Sequence, residues 1–119
     1  MSKAQQLADI ANYAGTYTNT TTTGNETLDF SAYNNFVLTL TGNTTLVNPT
    51  TEKVGQSGFI VFIQDGTGSR TVSLGTDYET SNGGGGISLS ATASVTDIVP
   101  YIVMASNRIL LGNPTRNYA

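Results

Sequence analysis

The stretch Phe59-Ile60-Val61-Phe62-Ile63-Gln64-Asp65-Gly66-Thr67-Gly68-Ser69-Arg70-Thr71-Val72-Ser73-Leu74 constrains the fold more than any other part of the chain. Five consecutive apolar residues of aromatic and β-branched type read as a central strand covered on both faces. Asp65-Gly66 and Gly68 then offer positive-φ positions for a tight reversal, and Thr71 to Leu74 returns with period-two alternation. The pattern predicts a β-hairpin against which other strands must pair.

Upstream, Phe36, Leu38 and Leu40 alternate with Thr39 and Thr41, Gly42-Asn43 reads as a hairpin turn, and Thr44 to Val47 pairs back until Asn48-Pro49. Leu28 and Phe30 alternate with Thr27 and Asp29 as a short half-buried strand. Thr-rich Tyr17 to Asn25 is an edge strand or a connecting arm, since no apolar residue pins its register. Downstream, Asp77 to Gly86 is a glycine-rich loop, and Ile87 and Leu89 resume a strand. Asp97 to Met104 and Arg108 to Leu111 form a hairpin about Ser106-Asn107, with Pro100 marking an edge position or a bulge. Residues 1–14 predict one helix, with Ser2 and Gln5 as a capping box and Gly15 as the stop. Its apolar positions Ala4, Leu7, Ala8, Ala11 and Ala14 must dock on the chain's own sandwich or on a neighbouring subunit or the virion surface, because three isolated turns are marginal in water. The whole predicts an all-β antiparallel sandwich or jelly roll with a short N-terminal helix. Its parts are an N-terminal helix and arm over 1–33, a β-sandwich domain over 34–112 and a polar tail over 113–119, mobile unless something holds it.

The run Gly55-Gln56-Ser57-Gly58-Phe59-Ile60-Val61-Phe62-Ile63-Gln64-Asp65-Gly66-Thr67-Gly68-Ser69-Arg70-Thr71-Val72 resembles a module of tailed-bacteriophage virion proteins. Further marks are Asn35-Phe36-Val37-Leu38-Thr39-Leu40-Thr41-Gly42-Asn43-Thr44-Thr45-Leu46, Leu89-Ser90-Ala91-Thr92-Ala93 leading into Asp97 to Val103, and the closing Arg108-Ile109-Leu110. The resemblance covers residues 35–111. The module occurs in tail-fibre and capsid-associated accessory chains, so the resemblance implies a virion protein and no particular activity. Small decoration proteins of this kind are often homotrimers.

At 119 residues the chain holds one core, burying about two-thirds of its unfolded surface. Only 11% of residues are charged, against about a quarter in ordinary domains, and Thr, Asn, Ser and Gly fill the difference. Hydroxyls and amides are cheaper than charges to desolvate against a partner, which suits an assembly component. A net charge of −3 without a basic cluster argues against nucleic acid. No apolar run is long enough for a membrane span or a signal peptide, so synthesis in the host cytoplasm is expected.

The chain has neither cysteine nor histidine, which removes disulfides, thiol nucleophiles and the commonest general base. Asp65 to Ser69 lacks the alternating acids of a calcium loop and reads as a turn in which Asp65 holds loop amides and pairs with Arg70. Gly83 to Gly86 is followed by no Lys and opens no helix, so it is no phosphate cradle. Paired acids for glycoside hydrolysis would come from Asp29, Glu52, Asp65, Asp77, Glu79 and Asp97, all read at strand ends and turns. The expectation is therefore no enzyme, no cofactor and no metal. Leu7, Ile10, Tyr13, Tyr17 and Tyr118 are the candidate contacts with a capsid or a neighbouring subunit. Tyr13, Tyr17, Tyr33, Tyr78 and Tyr118, if exposed, offer stacking faces for sugar rings. The leading expectation is a decoration protein that binds the major capsid protein on the outer capsid surface of the virion and bridges capsid subunits. The alternative is a tail-fibre or head-fibre knob that adheres to a host glycan. The few residues ahead of the module count towards decoration.

Overall fold

The computed structural model describes Lys3 and residues 15–119. The expected helix and its candidate contacts Leu7, Ile10 and Tyr13 lie outside the described residues, Lys3 aside. Eight strands form one sheet: β1 (Thr16–Glu26), β2 (Asn35–Leu46), β3 (Ser57–Gln64), β4 (Val72–Leu74), β5 (Tyr78–Thr80), β6 (Thr96–Ala105), β7 (Arg108–Leu111) and β8 (Thr115–Tyr118). The fold is all-β. The order along the sheet is β1-β2-β3-β6-β7-β5, with β4 paired to β2 and β8 to β6.

The expected antiparallel sandwich is corrected by the strand directions. β1 runs parallel to β2, and β2 runs parallel to both β3 and β4. β5 is also parallel to β7, so antiparallel pairing is confined to β3–β6, β6–β7 and β6–β8. The amino-terminal half therefore winds, laying each new strand beside the last in the same direction. Parallel neighbours need long connections, and these are irregular segments whose apolar residues, Leu28 and Phe30 among them, turn into the core.

Two predicted hairpins do not form, because non-local contacts decide the pairing. At Gly42-Asn43 the chain does not reverse: β2 continues, with a register shift against β1 at that point. Gly42 is there for close approach, since a Cβ on it would collide with the Thr23 hydroxyl of β1. At Asp65 to Ser69 the chain does turn, with Gly68 at φ 76° and Ser69 at φ 59°, but the returning segment joins β2 rather than β3. Gln64 diverts it. Its buried side chain accepts from Arg70 N at 3.0 Å and donates to Arg70 O at 2.9 Å, copying a strand partner. The same amide donates to Ser90 O at 2.9 Å, and Ser69 N reaches Ala91 O at 2.8 Å. Gly68 lies so close beneath Ala91 and Ala93 that a side chain there would strike their backbone.

The third hairpin, β6 to β7, forms as expected, with Asn107 at φ 66° in its turn. Pro100 is not at an edge, for β6 is bonded on both sides. Its nitrogen falls where β8 has ended and β7 begins, and its carbonyl still accepts from Gly112 N at 2.8 Å. Ile87 and Leu89 pack against the core without forming a strand. The tail is held: β8 pairs with β6, and Asn117 N donates to the buried Asp97 carboxylate at 3.0 Å.

Inward residues alternate along every long strand. Phe36, Leu38 and Leu40 of β2, Ile60 and Phe62 of β3, and Val99, Tyr101 and Val103 of β6 build one core. Phe30 stacks obliquely on Phe36 at 5.0 Å and edge-on to Tyr101 at 5.3 Å. The Tyr101 hydroxyl donates to Asn34 O at 2.6 Å, and burial pushes its pKa up to about 12. Replacing Gln64 by Leu strands the Arg70 and Ser90 backbone groups, so we expect Gln64→Leu to lower stability by about 2–4 kcal/mol. Urea unfolding followed by far-UV circular dichroism measures it. No loss would mean that the glutamine does not direct the crossing.

Candidate functional site: an uncharged outward sheet face

Residues paired across a ladder point to the same side, so the register defines the outward face in rows. One row runs Thr18, Val37, Val61, Ile98 and Thr115 from β1 to β8. The next holds Thr39, Ile63, Thr96 and Tyr118. On the other side stand Phe59 opposite Pro100, beside Asn35, whose side chain accepts from Phe59 N at 3.0 Å. Beyond these come Ser57, Ile102 and Leu110. None of these residues is charged.

Five large apolar or aromatic side chains stand well exposed among the described residues: Val54, Phe59, Ile102, Met104 and Tyr118. All but Val54 lie on this one face. Phe59 is 51% exposed and Ile102 42%, which for β-sheet residues flanked on both sides is high. Beside Phe59 a shallow hollow of about 290 Å³ is floored by Val37, Val61 and Ile98 and rimmed by Thr16 and Asn35. A second hollow of about 320 Å³ lies along Pro100, Ile102, Leu110 and Gly112. The sequence reading covered both faces of Phe59 to Ile63. Among the described residues, only the face bearing Ile60 and Phe62 is covered.

Of the candidate contacts only Tyr17 and Tyr118 fall among the described residues, and these two do not share a face. Tyr118 lies at the margin of the outward face, half exposed. Tyr17 points to the opposite side of the sheet, half-buried against Tyr33 at 5.4 Å. Burial, with the Glu26 carboxylate nearby, pushes its hydroxyl pKa up. Tyr78 is buried and Tyr33 half-buried, so among the described residues the tyrosines expected to stack on sugars do not form an exposed cluster. The signal that was missed lies in parity: within Phe59 to Ile63 and Ile98 to Met104, the odd residues of one strand and the even residues of the other share a side.

Asp65, Glu79, Asp97 and Asp29 are occupied structurally. Asp65 accepts from Thr67 N at 3.1 Å and Gly68 N at 3.0 Å and pairs with Arg70 at 3.0 Å. Glu79 pairs with Arg108 at 2.7 Å at the end of the outward face beyond Leu110. Asp97 is buried and accepts from Ser90 N at 2.6 Å. Asp29 accepts from the Ser31 backbone and hydroxyl.

A sequence profile described as "Putative phage tail fibre C-terminal domain" matches residues 9–104. The chain belongs to this family, and it is a tail-fibre-type structural protein of a phage virion. Comparison with curated proteins and with solved structures finds no match. The family speaks for the fibre alternative and does not support capsid decoration, whose compositional marks a fibre module shares.

Hydrogen bonds from Arg70, then from the Gly68 amide, hold the Asp65 carboxyl below its usual value of 3.8. A depressed folded-state pKa contributes stability that is whole above the unfolded value and is lost as pH falls through the folded one. Stability should therefore decline as pH drops below about 4, and Asp65→Asn should be less stable than the wild type at neutral pH with a shallower acid decline. Urea midpoints between pH 2 and 7 test this, and an unchanged acid limb in the variant would remove Asp65 from the account.

Proposed function

We propose that this chain is a terminal module of a tail fibre which acts by adhesion: it associates with copies of itself and contacts the host envelope. The observation that carries this reading is the family match over residues 9–104. The surface is compatible with it. Thr16–Glu26 presents a long edge of hydroxyls and amides with one acid, a chemistry suited to hydrogen bonding with the hydroxyls of a host glycan. Such a surface is desolvated at lower cost than a charged one. The reading includes no catalytic step, cofactor or metal. A homotrimer is the assembly proposed, since closed rotational symmetry lets one surface serve every copy.

Immunogold electron microscopy of virions tests the location. Label at the tail in low copy number is expected, and label spread over the capsid shell would overturn the fibre reading. Purified protein should slow adsorption of the phage to its host in proportion to concentration and give binding on a glycan array of host envelope sugars. Silence in both adsorption and array experiments would remove the host-contacting role.

A further inference from the structure

The apolar part of the outward face has no cover among the described residues. We infer that a second copy of this chain covers it, with Phe59 as the knob and the Val37, Val61 and Ile98 hollow as the hole. This deepens the fibre reading by naming the surface through which copies meet.

Charge is the first argument. The chain carries a net −3, so two copies meet most cheaply where neither presents a charge. The rows of the outward face meet that condition, and the nearest charges, Arg108 and Glu79, already neutralise each other. A polyanionic partner would find no cation in those rows, and an anionic lipid surface would find none either.

Shape is the second argument. A protruding phenyl ring and an apolar hollow stand side by side on one patch. Copies related by rotation can then each donate a ring and each receive one, and the contact closes on itself. The third argument is size. Five strands at about 4.8 Å spacing, crossed by about six residues at about 3.3 Å, present roughly 500 Å². A standard interface takes about 800 Å² from each partner, with an apolar centre and a polar rim. Thr16, Thr18, Thr39, Thr96, Thr115 and Asn35 are the polar margin within that area, and two such faces together bury about 1,000 Å², the least a specific interface takes.

The test is the mass of the purified full chain by size-exclusion chromatography with light scattering at micromolar concentration. The wild type should run as a multiple of the single-chain mass. Phe59→Lys and Ile102→Lys should each weaken association at least about tenfold and shift the mass towards one chain. Both side chains are substantially exposed in the single chain, so circular dichroism and the urea midpoint should stay near wild type. Should either lysine variant unfold, Phe59→Ser and Ile102→Thr take its place. A wild type of single-chain mass, or folded variants that keep the wild-type mass, would overturn the inference. So would a chain lacking residues 1–14 that becomes single while the face variants remain associated, because the amino-terminal segment would then be the contact. A single-chain mass with tail label on the virion leaves the fibre reading standing. An oligomer dissolved by Phe59→Lys, with label on the shell, keeps the contact and discards the fibre.

Discussion

β3 is hydrogen-bonded along both edges, parallel to β2 and antiparallel to β6, and the rest of the molecule is arranged by that. Its even residues, Ile60 and Phe62, close the core with Phe36, Leu38, Val99 and Tyr101. A strand fixed on both edges has no freedom of register, because slipping by one residue would exchange its buried and exposed faces. Its odd residues are held outward just as firmly. The outward face is thus a consequence of the core, set by the same ladder.

Most of the strands and of the core were legible in the sequence, because the alternation at Phe36 to Leu40 and Ile98 to Met104 and the apolar run Phe59 to Ile63 are local signals. Partner choice was not. Gly42-Asn43 carries the composition of a hairpin turn, yet the glycine answers to Thr23, nineteen positions earlier in the chain. Asp65 to Ser69 is a real turn, and its local chemistry was read correctly down to the Asp65–Arg70 pair. Its destination depends on Gln64 reaching Arg70 and Ser90, which no spacing rule announces. Non-local partners of this kind separate a winding parallel sheet from an antiparallel one of identical composition.

The surface was legible only in part. Low charge and abundant hydroxyls pointed to a protein that works by contact, and the family match agrees with a fibre role. Tyr118 is half exposed, while Tyr78, read as an exposed stacking face, is buried where β5 packs it against β7. Phe59 was assigned to a strand covered on both faces from hydrophobicity alone, and the alternation around Ile102 was not assigned a buried side. In a sheet covered on one side, hydrophobicity on the other side marks what a partner must cover.

The account's central claim is that the outward face of β3 and β6 is a buried contact in the assembled particle. Hydroxyl-radical footprinting of intact virions tests it most directly, with Val54 as the internal standard, since it is 68% exposed and lies on the segment connecting β2 to β3. The account predicts that Val54 is modified while Phe59 and Ile102 are protected. Modification of Phe59 and Ile102 to the same extent as Val54 would contradict it.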